Sequence, residues 1–272
     1  MRIVKTVTII LFVLAVALSA GFGLYDRLLS DTKAPVITCG EDTVSVSVND
    51  PESALLAGVT ARDDRDGDLT GSVTVGGVSK LIDDDTARVT YYVFDRADNM
   101  GSATRFVRYT DYRRPEITVE SPLLYAVGEN ISVAERLKAT DVIDGDITGQ
   151  LRVSATDITA NVEGTYQITV YVTNSMGDTA ELKLPLCIRG TGLNEGQIVL
   201  SRYLVTVGRG EAFDPEEYFE DARLPSGRRV SISDLKISGE VDTETPGVYQ
   251  VLYTGVTGSG TSLAATLAVI VE

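Results

Sequence analysis

The feature that most constrains the fold of this chain is an internal repeat with a period of about eighty residues. Residues 61–73, ARDDRDGDLTGSV, return as ATDVIDGDITGQL at residues 139–151, and Pro35 of APVITC returns as Pro115 of RPEITV. A third, weaker copy contains GVYQVLYTGVTGSGTSL from residue 247, which resembles GTYQITVYVTNSMGDTA from residue 164. Repetition at a nearly constant period indicates that each copy is one structural unit.

The unit boundaries are predicted where polar, turn-forming residues gather. One falls near residues 111–114, and another in the glycine-rich stretch RGTGLNEG at residues 189–196. We name the three copies the first, second and third repeats. The predicted divisions are a cytoplasmic tail at residues 1–5, a transmembrane anchor or signal peptide at 6–25, a linker at 26–33, and domains at 34–112, 113–190 and 194–272.

Within each repeat the hydrophobic pattern predicts β-strands. Apolar residues alternate with polar ones in TVSVSV at residues 43–48 and in YQITVYV at residues 166–172. Such alternation places one face of a strand in a core and the other in water. The strands are short and separated by Gly, Asp and Asn turns, so we predict an all-β chain of three tandem β-sandwiches after an N-terminal helix.

The N-terminal segment predicts export of everything that follows it. Twenty uncharged residues lie between Lys5 and Asp26, enough for a helix of about 30 Å, the thickness of a bilayer core. Arg2 and Lys5 would remain in the cytoplasm under the positive-inside rule. Two interpretations stay open: a retained single-pass anchor with an extracellular C-terminal part, or a signal peptide cleaved near ALS at residues 17–19, which would release a secreted protein.

Composition excludes several classes of function. The net charge is −15, and from Asp26 onward 39 acidic residues face 22 basic ones. Such a surface repels nucleic-acid phosphates, so we expect no nucleic-acid partner. The chain has no histidine, which removes Ser-His-Asp and Cys-His catalysis and histidine zinc ligands. We therefore expect no enzyme activity.

The two cysteines are expected to be separate thiols. Cys39 falls in the first strand of the first repeat and Cys187 in the last strand of the second. A disulfide needs Cα atoms within about 7 Å, and these positions are predicted to be much farther apart. We expect Cys39 to lie in a core.

The motifs of the chain come in the order PVIT, then DGD followed by Ile or Leu and Thr, then GTYQITVYV with a following glycine turn. In this order of its motifs the chain resembles the bacterial immunoglobulin-like surface domain. That domain occurs in tandem on exported bacterial proteins and in some insecticidal crystal proteins. The resemblance covers residues 33–272 and implies immunoglobulin-like β-sandwiches. The third repeat lacks the DGD loop. In the first, Ala87 stands where Tyr166 and Tyr249 stand in the others, a tyrosine similar to the tyrosine corner of sandwich folds.

The doubled aspartate loop allows two interpretations. Asp-Gly-Asp is good turn chemistry, because Gly adopts positive φ freely and Asp bonds nearby backbone N–H groups. Clustered carboxylates are also the ligands that calcium prefers, and in the first repeat the loop could converge with Asp95 and Asp98. Calcium is the one cofactor the sequence suggests. The candidate ligands are Asp63, Asp64, Asp66, Asp68, Asp141, Asp144 and Asp146.

The expected function is that of a non-catalytic, membrane-anchored extracellular protein. It would act as a rod-like spacer or as a surface-assembly or adhesion module. The alternative is a module that binds carbohydrate or protein directly, with calcium assisting. For that alternative the candidate contact residues are three arginines of the third repeat, in an otherwise acidic chain: Arg223, Arg228 and Arg229.

Overall fold

The computed structural model describes residues 2–155, 158–190, 196–256 and 262–272. In that part the chain forms one long helix, α1 (Arg2–Leu29), and twenty β-strands. It is therefore an all-β protein behind an N-terminal helix, as the sequence predicts. The proposed start of the third repeat, residue 194, lies outside the described residues.

Helix α1 is longer than the predicted apolar segment. It begins at Arg2 and continues through Leu29, so it takes in most of the predicted tail and half of the predicted linker. Residues 24–29 contain neither glycine nor proline, and nothing in their sequence stops a helix before Ser30. The stretch Lys5–Gly23 is long and apolar enough to cross a bilayer and none of it is buried, although a signal sequence has the same properties.

The first repeat contains two sheets. One has the strand order β1-β3-β4 and the other β2-β7-β6-β5. Short 3-10 helices at Glu52–Leu56 and Thr70–Ser72 connect strands of the two sheets. The strands are β1 (Val36–Cys39), β2 (Thr43–Val46), β3 (Val59–Asp63), β4 (Gly67–Asp68), β5 (Thr74–Val78), β6 (Thr86–Phe94) and β7 (Met100–Tyr109).

The second repeat has the same arrangement. Its sheets have the orders β8-β10-β11 and β9-β14-β13-β12, with 3-10 helices at Val133–Arg136 and Thr148–Gln150. The strands are β8 (Glu116–Val119), β9 (Leu124–Ala126), β10 (Leu137–Asp141), β11 (Gly145–Asp146), β12 (Arg152–Ala155), β13 (Gly164–Thr173) and β14 (Thr179–Arg189).

The third repeat departs from this plan in the region where its sequence diverges. Its first sheet is reduced to β15-β17, and its second has the order β16-β20-β19-β18. Short 3-10 helices lie at Pro215–Tyr218 and Ile232–Asp234. The strands are β15 (Gln197–Leu200), β16 (Leu204–Val207), β17 (Phe219–Arg223), β18 (Lys236–Ser238), β19 (Gly247–Val256) and β20 (Ser262–Val271).

Every repeat pairs an early strand in parallel with its last strand. The pairs are β2 with β7, β9 with β14, and β16 with β20. The other strand pairs described are antiparallel. Each repeat is thus closed by hydrogen bonds between its beginning and its end.

The cores follow the alternation read from the sequence. In β6, Ala87, Val89, Tyr91 and Val93 are buried and the residues between them are more exposed. The core of the second repeat joins β8 and β10 of one sheet to β13 and β14 of the other, which makes it a sandwich. The third repeat has a comparable core between β15 and β17 on one side and β16, β19 and β20 on the other.

One core position of the first repeat carries a charge. Arg105 is 5% exposed and donates hydrogen bonds to the carbonyl oxygens of Leu55 and Ala57 and to the hydroxyl of Tyr91. Leu184 holds the corresponding place in the second repeat and is fully buried. Sequence periodicity did not identify this buried cation, because Arg105 lies within a strand whose exposed positions also carry arginine.

Compactness divides the chain into two units, Met1–Asp111 and Tyr112–Glu272. The second unit contains both the second and third repeats. Their contact is apolar: Leu124 and the sulfur-bearing Cys187 of the second repeat pack with Ala264 and Leu252 of the third. Thr165 also donates a hydrogen bond to Gln250 across this contact, at 3.2 Å.

Candidate functional site

The doubled aspartate loop folds into the same tight turn in the first and second repeats. Its leading aspartate, Asp63 or Asp141, accepts backbone N–H groups from two and three residues further on, at 2.7–3.0 Å. These bonds hold the pKa of Asp63 below its ordinary value. Gly67 and Gly145 have φ values of 78° and 72°, which a glycine adopts without steric cost.

The last aspartate of the loop closes the turn. Asp68 Oδ1 accepts the backbone N–H of Thr70, and Asp146 Oδ1 accepts that of Thr148, both at 2.9 Å. Hydrogen bonds from the threonine side chain and backbone lower the pKa of each carboxyl group. The geometry of these two residues is that of a turn.

The middle aspartates face neighbouring segments. Asp64 is half exposed and forms an ion pair with Lys33. Asp66 Oδ2 accepts the backbone N–H of Arg96 at 2.7 Å, and Asp144 Oδ2 accepts that of Ser175 at 2.6 Å. Each loop is therefore fastened to the hairpin between the two longest strands of its repeat, β6 and β7 in the first and β13 and β14 in the second.

In the first repeat this fastening brings three carboxylates together. One oxygen each from Asp31, Asp63 and Asp95 lies within 4.8 Å of the others. Asp63 and Asp95 are only 4% and 6% exposed. Their elements are the segment after α1, the end of β3, and the hairpin between β6 and β7. Three negative charges at such distances repel one another strongly unless a proton or a cation compensates them.

The second repeat fills the corresponding place differently. Asn174 Nδ2 donates to Asp141 Oδ2 at 3.0 Å and to the hydroxyl oxygen of Tyr112 at 2.9 Å. The Tyr112 hydroxyl in turn donates to Asp178 Oδ2 at 2.9 Å. Burial, together with this bond to Asp178, raises the pKa of Tyr112. Within the described residues, three close acidic ligands occur in the first repeat and have no counterpart here.

Part of the cluster could be predicted from the sequence. Asp63 and Asp95 are among the aspartates expected to converge, whereas Asp98, also expected there, occupies a turn position with φ of 62°. Asp31 was not predicted. The available signal was an acid four residues before the repeated proline, but Asp111 has the same spacing and instead bonds the Ser47 hydroxyl at 2.6 Å.

The three arginines of the third repeat do gather at one hairpin. Arg223 forms an isolated antiparallel bridge with Arg229, and Arg228 is exposed beside them. Asp221 partly neutralises the group, because it accepts Arg223 Nε at 2.6 Å and lies 3.6 Å from Arg229 Nε. The same contacts lower the pKa of Asp221. A groove of about 450 Å³ borders the hairpin, between Arg228, Arg229, Asp234 and Val256.

The cysteines differ from the expectation in one respect. Both are free thiols, as predicted. Cys39, however, is only partly buried, because it ends the edge strand β1, whereas Cys187 is fully buried against the third repeat. Burial raises the pKa of the Cys187 thiol.

The two tyrosines that occupy equivalent positions in the second and third repeats donate hydrogen bonds to the backbone. Tyr166 donates to the carbonyl oxygen of Val162 at 2.9 Å, and Tyr249 to that of Thr245 at 2.8 Å, each four residues upstream. Ala87, at the matching position of the first repeat, is fully buried in the core.

Comparison with known proteins extends these observations. A family model described as the bacterial Ig-like domain (group 3) matches residues 206–269, which lie in the third repeat. The pesticidal crystal protein Cry22Aa of Bacillus thuringiensis is 32% identical to this chain over 123 residues. That alignment includes 43% of the chain, which spans only 16% of the length of the crystal protein.

Solved structures offer more distant likenesses. Extracellular domains 1–3 of Drosophila N-cadherin are 12% identical to this chain, with a TM-score of 0.32 over 87% of this chain and 99% of that one. The M60 catalytic domain with carbohydrate-binding modules of Clostridium perfringens ZmpB is 12% identical, with a TM-score of 0.24 over 87% and 30%. These scores are too low to bear on function. The repeats, the sheets and the family match together identify this chain as one that carries a bacterial immunoglobulin-like domain.

Proposed function

We propose that this chain is a non-catalytic bacterial surface protein in which α1 is a membrane anchor and the immunoglobulin-like part is a spacer or an assembly and adhesion module outside the cell. The observation that carries the proposal is the coexistence of two features. One is a helix whose residues 6–23 are uncharged and unburied, and the other is an acidic all-β body of immunoglobulin-like type.

The helix supports the membrane part of the proposal. Exposed side chains cover all of its described circumference, including Phe12 and Phe22 at 69% and 73% exposure. A helix that is apolar all round needs an apolar surrounding, and a bilayer supplies one. Arg2 and Lys5 precede the span, which favours a cytoplasmic N-terminus.

The residue inventory supports a non-catalytic role. The chain contains no histidine, and its two cysteines are separate thiols. Most aspartates of the doubled loop accept backbone N–H groups, a role in which they hold the turn rather than act on a substrate.

Fractionation of cells that express the full chain tests the anchor. The intact protein should sediment with membranes and its body should be digested by protease added outside the cells. Leu14→Arg places a charge near the centre of the span, at a cost of about 2.5–3.5 kcal/mol, and should release the protein from the membrane fraction. Leu14→Ile, which keeps the same position apolar, is the matched control. Shed protein whose sequence begins near Gly21 would contradict the tether.

A second candidate function is direct binding at the arginine hairpin. It is favoured by the concentration of Arg223, Arg228 and Arg229 beside a groove, in a chain whose net charge is −15. An acidic polysaccharide or an acidic protein surface suits such a site.

The full chain should then be retained on an acidic polysaccharide, and the double change Arg228→Glu with Arg229→Glu should abolish retention. Arg202→Glu, an exposed arginine of the same repeat away from the hairpin, is the matched control. If both variants lose retention equally, binding depends on the overall charge of the protein, and the arginine hairpin is not the binding site.

A further inference from the structure

The strongest unexplained feature outside the proposed function is the carboxylate cluster of the first repeat. Asp63 Oδ1 is occupied by two backbone N–H groups of its own turn. Its Oδ2 is buried and, among the described residues, has no hydrogen-bond partner. Buried acceptors are nearly always partnered, so an orphan on a 4% exposed carboxylate points to a missing ligand.

The other two members of the cluster are held in place. Asp95 Oδ1 accepts the backbone N–H groups of Ala97 and Asn99, each at 2.8 Å, and Asp95 Oδ2 accepts Asn99 Nδ2 at 2.7 Å. Asp31 is fixed through its backbone, because its carbonyl oxygen accepts the same Asn99 side chain at 3.2 Å. The carboxylates are therefore positioned before any ligand arrives.

The second repeat shows what satisfies the same position when no cation is needed. There Asp141 Oδ2, the atom equivalent to Asp63 Oδ2, accepts an amide N–H from Asn174. The two repeats differ by an exchange of residue types across one hairpin: Asp95 and Asn99 in the first correspond to Asn174 and Asp178 in the second. The exchange replaces a donor beside the buried aspartate by an acceptor.

The charges around the cluster leave it negative. Besides the three carboxylates, Asp64 and Asp66 lie nearby, and the basic groups are Lys33, Arg65 and Arg96. Lys33 pairs with Asp64 and Arg96 with Asp66, while Arg65 Nε lies 3.8 Å from Asp31 Oδ2. Among the side chains that the structure describes, five acidic groups thus face three basic ones, a deficit that one divalent cation would balance.

We propose that Asp31, Asp63 and Asp95 form a calcium site in the first repeat. Calcium is bound by oxygen ligands at about 2.3–2.6 Å, so two ligands on opposite sides of the ion stand just under or about 5 Å apart. The three oxygens, all within 4.8 Å of one another, meet that requirement. Zinc would favour nitrogen or sulfur ligands, and the cluster offers neither.

The site has a structural consequence for the part of the chain next to the helix. Asp31 follows α1 by two residues, whereas Asp63 and Asp95 belong to the body of the first repeat. A bound ion joins the segment after the helix to the first sandwich. It makes the connection between the anchor and the first immunoglobulin-like unit dependent on extracellular calcium.

Calorimetric titration of the full chain in detergent with calcium chloride tests the site directly. We expect one saturable site, and Asp63→Asn should weaken it by more than roughly tenfold. The matched control is Asp141→Asn, the same change at the equivalent position of the second repeat, which should leave the affinity unchanged. Absence of saturable binding in millimolar calcium, or equal weakening by both variants, would overturn the proposal.

A second variant guards against a folding defect. The double change Asp95→Asn with Asn99→Asp gives the first repeat the arrangement that already folds in the second. This variant should fold, bind no calcium and show a melting temperature unaffected by chelator, whereas the unmodified chain should melt earlier in chelator. Calcium binding that survives this exchange would remove Asp95 from the site and refute the arrangement proposed.

Proteolysis provides a readout of the junction itself. Lys33 is exposed two residues beyond Asp31, so trypsin should cleave after it more slowly in calcium than in chelator. The Asp95/Asn99 exchange variant should be cleaved at the same rate in both. Protection of Lys33 by calcium in that variant would contradict a role for the cluster in holding this segment.

Discussion

Asp63 in the first repeat and Asp141 in the second occupy the same position in the same turn, yet one faces two further carboxylates and the other an amide and a phenol. The conformation of the turn is the same in both repeats, because the leading aspartate accepts hydrogen bonds from the backbone of its own turn. The chemistry of the buried oxygen is decided by residues about thirty positions away. A repeated motif therefore establishes a shape, and its neighbours in space establish what the shape can bind.

The same contrast runs through the core. Where the first repeat buries Arg105 against two carbonyl oxygens and a tyrosine hydroxyl, the second buries Leu184. The first repeat thus places charged groups at two positions where the second has an amide, Asn174, and a hydrocarbon side chain, Leu184. Four experiments test how far the difference between the repeats goes.

The largest effect is expected from Arg105→Ala. It opens a cavity, removes the side-chain donor to the Ala57 carbonyl oxygen and leaves the Leu55 carbonyl oxygen with the Tyr91 hydroxyl alone, a loss of about 2–5 kcal/mol. Denaturant unfolding, with hydrogen exchange used to assign the transition to the first repeat, measures it. Leu184→Ala, the matched change, should cost about 2–5 kcal/mol in the second repeat through its cavity alone. An Arg105→Ala transition that matches the unmodified chain would show that the buried charge contributes nothing.

Asn174→Ala should have the next largest effect. It removes the donor to buried Asp141 and to Tyr112, together with the acceptor for the Asp178 N–H, at about 1–3 kcal/mol. The free energy of unfolding of the second unit measures it. Glu181→Ala, at an exposed position on β14, should change that quantity by less than about 0.5 kcal/mol. Equal effects would mean that the amide is not the partner that satisfies Asp141.

Tyr249→Phe should be milder. It deletes one hydrogen bond to the Thr245 carbonyl oxygen and keeps the ring, so the expected loss is about 0.5–1.5 kcal/mol. Tyr171→Phe, at a 40% exposed position on β13, should be silent in the same melting experiment. If the two substitutions change the stability equally, the Tyr249 hydroxyl does not stabilise the fold. The absence of a tyrosine at Ala87 would then not destabilise the first repeat.

The smallest effects concern acid stability. The folded pKa values of Asp68 and Asp146 are lowered, so each carboxylate stabilises the fold above its unfolded pKa near 3.8, and the contribution disappears as pH falls through the folded value. Asp68→Asn and Asp146→Asn should therefore each reduce the fall in stability between about pH 5 and pH 2. Melting temperatures across that range measure it. Unequal reductions would show that the two loops are not equivalent.

Much of the architecture could be predicted from the sequence because it depends on local patterns. The alternation in residues 166–172 predicted a strand that the structure places within β13, and the DGD motif predicted turns whose glycines have positive φ. The closing bonds of Asp68 and Asp146 span two residues, so sequence spacing alone could indicate them.

The carboxylate cluster could be predicted only in part, because it joins segments far apart in the chain. Asp31 and Asp111 have the same spacing to a proline and different partners, which no local rule separates. The partial exposure of Cys39 follows from the end of an edge strand, and its apolar surroundings in sequence gave no sign of that. The packing of the second repeat against the third was also hidden, because a polar, glycine-rich stretch lies between them.

The parallel pairing of an early strand with the last strand in each repeat has a mechanical consequence. Tension on a tethered chain pulls the start of β2 and the end of β7 in opposite directions along their shared axis. The hydrogen bonds between them are then loaded in shear and must break together, whereas bonds of an antiparallel hairpin pulled from its open end break one at a time. The same geometry recurs in β9 with β14 and β16 with β20, so every repeat presents a clasp that resists stretching.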